Sequence, residues 1–258
     1  MKKTLKDKIS DKIVNAFLKN KTISAIPKKF TKKLTEAVKF RKLCESKINE
    51  PVIGFKAGGT VIPLMKKLKE KEPFYASVYK RNFLKSGKKV KINKYSVGIE
   101  VEVCFLLRKA FFLSKGQITK NNVTKFISHM APCIEVVGYR QKKFGVTSFG
   151  DLCSDFGGNI KFFIGQKKKF KKINIGNLKT NISNKKIKQT INGNTNTVYI
   201  DPLNSLKFVL NKLKKDKIKL NNDFYIFTGS TVGIVPILSK GLYIGKVDKL
   251  GSVKAIIS

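Results

Sequence analysis

The sequence predicts an α+β protein, with a helical N-terminal region over residues 1–50 packed on a β-rich domain over 51–258. Two observations carry this reading. Near the start, Leu5, Ile9, Ile13 and Phe17 recur at every fourth position, along one face of a helix. From "PVIGFKAGGT" (51–60) onward, short runs of β-branched and aromatic residues alternate with Gly and Asn, which is strand texture. No internal repeat and no long linker interrupts the chain, so helices followed by a mostly antiparallel β core is the economical architecture.

The elements follow in order. After the first helix and "AIPKKF", a second is expected from about Thr31 to Ser46, with Thr31 as its N-cap and Leu34, Ala37, Val38 and Leu43 on its apolar side. Strands are expected over roughly 95–107, 131–138, 159–165, 173–179, 195–200, 223–228, 242–247 and 252–257. Short helices are expected near 62–70, 119–128 and 203–215, the last announced by Asp201-Pro202. Asn192-Gly193, in a polar stretch, is a hairpin signal.

Charge is the most conspicuous property: 55 Lys+Arg against 16 Asp+Glu, a formal net charge of +39 in 258 residues. Nearly all of it is lysine, since arginine occurs only at Arg41, Arg81, Arg108 and Arg140. The lysines are spread along the whole chain among frequent Asn and Ile, a composition that A/T-rich codons produce. Arginine dominates bidentate recognition of bases and phosphates, and no nucleic-acid motif is present. The dense run "QKKKFKK" (166–172) reads as a solvated loop between strands. No stretch approaches the roughly 20 apolar residues of a membrane span, and Lys and Asp break up the N-terminal segment before a signal-type apolar run forms. A cytoplasmic location is therefore expected. Cys44, Cys104, Cys133 and Cys153 show no CxxC spacing and are expected as buried free thiols. A single histidine, His129, leaves little material for a zinc site or a His-based triad.

Against that background the segment "GIEVEVCFLL" (98–107) is anomalous, because two of the scarce carboxylates lie inside an apolar run. Residues two apart on a strand share a face, so Glu100 and Glu102 point the same way. Adjacent carboxylates that are partly buried repel one another and are costly to desolvate, so something positive is expected opposite them. Glu135 lies in a second such run, "APCIEVVGYR" (131–140). Three carboxylates converging from two strands form the ligand set of a hard divalent cation. From spacing alone, the reading slightly favoured over a metal site is glutamates facing solvent on an amphipathic strand and pairing with lysines. Lys56 in "GFKAGGT" stands where a strand runs into a glycine turn that lets a ligand approach the backbone. Thr228, Gly229, Ser230 and Thr231 in "FTGSTVGIVPI" (227–237) offer hydroxyls and backbone N–H groups suited to a carboxylate or phosphate.

Taken in order, these pieces resemble the hydratase/decarboxylase branch of the fumarylacetoacetase-like superfamily, which includes 2-keto-4-pentenoate hydratase and 4-oxalocrotonate decarboxylase. The resemblance runs from about residue 24 to the C-terminus. It is carried by "VIGFKAGGT", "IEVEVCFLL", "APCIEVVGYR", "GDLCSDFGGNIKFFIG", "DPLNSLKFVLNKL", "FTGSTVGIVPI" and "LGSVKAIIS". It implies a mixed β-roll core of the fumarylacetoacetase C-terminal type and a catalytic role for the β-rich domain. It also implies Mg²⁺ or Mn²⁺ held by Glu100, Glu102 and Glu135, with Lys56 polarising the substrate or moving a proton. Thr228, Gly229, Ser230 and Asn159 would bind the substrate, a small 2-oxo acid. The activity implied is hydration of a 2-hydroxy-2,4-dienoate in aromatic compound catabolism. Alternatives are 4-oxalocrotonate-type decarboxylation of a 2-oxo-dioate and acylpyruvate-type hydrolysis; from another class comes a degenerate scaffold binding polyanions. A homo-oligomer is implied, with no specific nucleic acid and no membrane partner. The sequence departs from the pattern at Phe74, where an acid is usual (Glu72 lies two residues upstream), and in the "SDFGGN" loop (154–159).

Overall fold

The computed structural model describes residues 3–142 and 148–258. Helix α1 (Leu5–Lys19) opens with Thr4, whose side chain accepts from the Asp7 N–H while the Asp7 carboxylate accepts from the Thr4 N–H, a reciprocal capping box. Helix α2 (Leu34–Glu45) follows. Ile13, Val14 and Phe17 of α1 meet Phe40 and Cys44 of α2 in an apolar cluster that also takes in Tyr79 and Phe156. No described helix is long and apolar enough to cross a membrane.

Along the rest of the chain lie β1 (Val52–Gly58), α3 (Ile62–Lys67), β2 (Phe74–Tyr79), β3 (Phe83–Lys85), β4 (Lys89–Val90), β5 (Ser96–Leu107) and β6 (Ile127–Gly138). Next come α4 (Phe149–Ser154), β7 (Asn159–Ile164), β8 (Lys168–Lys169), β9 (Lys179–Asn184), β10 (Gln189–Asn194) and α5 (Pro202–Lys215). The chain closes with β11 (Phe224–Ser230), β12 (Val235–Pro236), β13 (Gly241–Val247) and β14 (Gly251–Ile257).

These strands form two mixed sheets. The larger runs β2-β1-β11-β5-β6-β7-β3, with β12 on β5 and β8 on β6; the smaller runs β10-β9-β13-β14-β4. Most pairs are antiparallel, but β1–β11, β3–β7 and β14–β4 are parallel. The main core lies between the sheets: Val101, Val103 and Phe105 of β5 and Ile134 and Val136 of β6 face Tyr243, Val253 and Ala255, with Leu206 and Leu210 of α5 in the same cluster. Because strand side chains alternate, burying the odd positions of β5 turns Glu100, Glu102 and Cys104 to the other face. This arrangement matches the expected mixed β core with a helical N-terminal part.

Several expected elements differ. Residues 173–179 contain only a helical turn at Ile175–Asn177 before β9 begins. Residues 195–200 hold a turn at Thr195–Thr197, and Tyr199 and Ile200 have φ of 44° and 80°, outside the strand region. The helix expected near 119–128 is a turn at Val123–Phe126, after which β6 starts at Ile127. Asn192-Gly193 lies inside β10, and the reversal comes at Lys185–Lys188, with Lys188 left-handed. Gly193 serves close packing instead, since a Cβ there would collide with the Thr231 carbonyl. Thr31 is not the N-cap of α2: it closes a helical turn at Lys28–Phe30 and is buried, its carbonyl against Gly150, while α2 starts after Lys33. Within "QKKKFKK", Lys168 and Lys169 pair with β6 yet stay exposed.

Candidate active site

The carboxylates converge through strand register. In the antiparallel β5–β6 pair, Glu100 stands directly opposite Glu135, and Glu102 opposite Cys133. One oxygen from each of Glu100, Glu102 and Glu135 lies within 4.8 Å of the others. Glu102 and Glu135 are fully buried, and Glu100 is half-buried and faces a cavity. Beneath them Cys104, Cys133, Phe162 and Phe227 form an apolar bed.

Lys56 answers part of this charge. Strand β1 lies beside β11, which pairs with β5, and this brings Lys56 Nζ to 2.6 and 2.8 Å from the two Glu135 oxygens and 3.1 Å from the Gly157 carbonyl. Gly229 donates its backbone N–H to Glu102 Oε2 at 2.9 Å, while Glu102 Oε1 is buried with no hydrogen-bond partner. If all three carboxyl groups are ionised, one ammonium leaves two negative charges uncompensated. Burial, with the charge of Glu135, pushes the Glu100 carboxyl up to about 8 and that of Glu102 well above the ordinary range. Burial pulls the Lys56 ammonium down, but the charges of Glu135, Glu100 and Glu102 outweigh it and hold its pKa above the ordinary lysine value.

The donor set fits a hard divalent cation. It offers oxygen ligands, an excess of two negative charges once all three carboxyl groups are ionised, and an orphaned buried oxygen on Glu102.

Above the cluster is a cavity of about 300 Å³. Lys56 and Glu100 are the only charged residues in its described lining; Val61, Leu64, Phe74, Val97, Leu152 and Ile234 make it largely apolar. Glycine backbone forms much of the remainder: Gly58, Gly59, Gly157, Gly158 and Gly229. At Gly229, φ is 104° and a Cβ would collide with the Thr60 side chain, so only glycine allows this close approach.

The other expected site residues divide into two groups. Gly229 and Ser230 line the cavity, with the Ser230 hydroxyl donating to the Gly233 carbonyl at 2.8 Å. Thr228 and Asn159 lie outside the lining. The Thr228 hydroxyl donates to the Val103 carbonyl at 2.8 Å, and Asn159 donates its amide to the Ser77 carbonyl at 3.3 Å. Phe74, the departure seen in the sequence, is in the lining, whereas Glu72 lies outside it, with Lys212 Nζ 2.5 Å from its carboxylate.

Sequence reasoning assigned no part to Arg140 and Asp155. Arg140 donates its backbone N–H to Asp155 Oδ2 at 2.7 Å and its guanidinium to Oδ1 at 3.0 Å and to the Asn159 carbonyl. This buried pair holds the 155–159 turn, whose Gly157 carbonyl receives Lys56. The usable signal was an arginine and an aspartate set beside apolar residues in a lysine-rich chain.

This topology is the fumarylacetoacetase-like fold. The particular likeness is to 4-oxalocrotonate decarboxylase from Pseudomonas putida G7, whose complexes with calcium and acetate and with magnesium and adipate superpose with TM-scores of 0.82 and 0.83. Identity to each is 19%, over 97% of this chain and 96% of that one. A fumarylpyruvate hydrolase from Pseudomonas aeruginosa, in complex with Mn²⁺ and pyruvate, gives a TM-score of 0.57 at 11% identity, over 82% of this chain and 91% of that one. No protein-family model matches the sequence, nor does any curated protein.

Proposed function

We propose that the protein is a divalent-metal-dependent lyase of small 2-oxo acids, and that its reaction is decarboxylation of a 2-oxo-dioate. The observation that carries this reading is the distribution of charge in the cavity. Among the described lining residues every ionisable side chain of the Lys/Arg/Asp/Glu type belongs to the Lys56–glutamate cluster, and the rest are apolar, glycine or neutral hydroxyl. Hydration, the first expectation from the sequence, calls for a water held by an acid or base. Phe74, at the position where the sequence resemblance implies an acid, lines the cavity, and Glu72 lies outside it. The likeness to a decarboxylase, complexed in one structure with magnesium and a dicarboxylate, supports the same choice.

In this reaction the bond from the chain to the far carboxylate breaks and CO₂ leaves. The electron pair moves through the conjugated chain to the 2-oxo oxygen, giving an enolate that then takes up a proton at carbon. Apolar surroundings favour the step, because a localised carboxylate charge becomes dispersed. Glu100, Glu102 and Glu135 would hold a divalent cation, which when bound would supply Lewis-acid chemistry. Lys56 fixes Glu135 and keeps an ammonium proton at the cavity wall, available to the enolate. Gly229 and Ser230 shape the wall that receives the substrate's 2-oxo carboxylate, while Thr228 and Asn159 anchor that turn and the 155–159 loop.

The test is a panel of unsaturated 2-oxo acids followed by ultraviolet absorbance and CO₂ release, with and without Mg²⁺ or Mn²⁺. Metal-dependent CO₂ loss faster than hydration of a 2-hydroxy-2,4-dienoate is expected. Efficient hydration without decarboxylation would restore the hydratase reading. Salt-sensitive retention on nucleic acid without stoichiometric metal would favour the polyanion-binding alternative.

A further inference from the structure

Phe74 belongs to two cavities at once. One face of its surroundings is the cavity above the glutamates; the other is a larger cavity of about 850 Å³, and no other described residue lines both. The second cavity is basic, lined by Lys39, Arg41, Lys69, Lys71, Lys212 and Lys215. Its acids are partly engaged: Glu72 pairs with Lys212, and Asp216 with Lys42 outside the lining. Glu70 also lines it, whereas no ion pair is found for Lys69, Lys71 or Lys215 among the described residues. The Phe74 ring is fixed between the two spaces. A Cβ at Gly58 would lie 2.5 Å from it, one at Gly157 would lie 3.5 Å from it, and Phe149 meets it edge-on at 5.9 Å.

We propose that Phe74 is the specificity-determining partition of this site, keeping the far carboxylate of a 2-oxo-dioate out of reach of the lysines behind it. The inference rests on the reading under Proposed function and adds to it. With the partition in place, the far carboxylate sits unpaired in apolar surroundings, a state that weakens ground-state binding and favours CO₂ loss. If the ring is shortened, a lysine reaches that carboxylate. The dioate then binds more tightly and reacts more slowly.

Two unreactive saturated probes of equal chain length separate these effects: 2-oxohexanoate and 2-oxoadipate, titrated calorimetrically into the Mg²⁺-loaded protein. The wild type is expected to prefer the monoacid by at least ~10-fold, the scale on which a site rejects a group it leaves unpaired. Phe74→Ala should tighten 2-oxoadipate by a similar factor, and adding Lys71→Ala and Lys215→Ala should remove that gain. With a reactive dioate, Phe74→Ala should lower KM and kcat together. Should Phe74→Ala fold poorly, Phe74→Leu should show a smaller shift in the same direction. Lys71→Ala with Lys215→Ala in the wild-type background should leave both affinities unchanged. A ranking indifferent to residue 74, or wild-type dioate affinity that depends on those lysines, overturns the partition and leaves the functional reading standing. Failure of both probes to bind the wild type overturns both.

Discussion

Lys56 Nζ lies 2.6 Å from Glu135 Oε1 and 2.8 Å from Oε2, so one lysine clasps both oxygens of a fully buried carboxylate. Its third contact, to the Gly157 carbonyl, leaves the ammonium fixed rather than mobile. Replacing it with methionine keeps the bulk and removes the only cation that faces the three glutamates among the described residues. Lys56→Met is expected to bind a divalent ion at least as tightly as the wild type, because a competing positive charge is gone. Turnover should fall at least ~10²-fold, the usual scale for a positioned proton-transfer group. Calorimetric metal titration beside steady-state kinetics checks both. Full activity would make this lysine a structural counter-ion only.

Glu102→Gln isolates the metal from the fold. The amide can still accept the Gly229 N–H that Glu102 Oε2 now accepts, and it leaves no carboxyl at this position to be ionised in the interior. Folding stability should therefore be maintained or rise, while divalent-ion affinity drops at least ~10²-fold, beyond what loss of a supporting contact around a metal costs. Unchanged affinity would remove Glu102 from the ligand set.

The glutamate face could be read from sequence because strand periodicity is strict: once Val101 and Val103 are core, Glu100 and Glu102 must share the other face. That Glu135 stands opposite Glu100 depends on β5–β6 register, which local sequence does not encode. The same limit explains the misplaced hairpin. Asn192-Gly193 has turn chemistry, but its glycine is required by the Thr231 backbone from a distant segment. Thr31 has cap chemistry, yet packing against Gly150 takes it into the interior. Thr228 and Asn159 matched a pattern by position, while tertiary hydrogen bonds direct both side chains elsewhere.

The raised carboxyl pKa values fix a pH dependence. Burial and Glu135 push Glu100 up to about 8 from an unfolded value of 4.5. A carboxyl with a raised folded-state pKa contributes stability that is fully present below its unfolded pKa and lost as pH rises through the folded one. The metal-free protein should therefore melt at a lower temperature at about pH 8.5 than at about pH 5.5. Divalent ions displace those protons, so their stabilising increment should grow over the same interval. Thermal melts with chelator and with Mg²⁺ at both pH values check this. A metal-free melting temperature that rises with pH would contradict it.

Arg140 and Asp155 form another buried ion pair near the site, with side chains 7% and 0% exposed. Arg140 also packs its guanidinium over Phe17 and Phe156, so the pair ties β6 to α1 and to the turn that presents Gly157. Removing one partner leaves the other charged or unsatisfied in the interior, which costs about 3–5 kcal/mol. Arg140→Met and Asp155→Leu should each destabilise by that order. In the double variant neither charge remains to be stranded, so its loss should be clearly smaller than the sum of the two, as urea unfolding of all four proteins would show. Additive losses would mean that the residues act through packing alone. Turnover should not recover with stability in the double variant, because the Asn159 carbonyl still lacks its Arg140 donor and the Gly157 carbonyl is no longer held toward Lys56. Stability regained without turnover assigns the pair a positioning role; recovery of both would reduce it to a structural one.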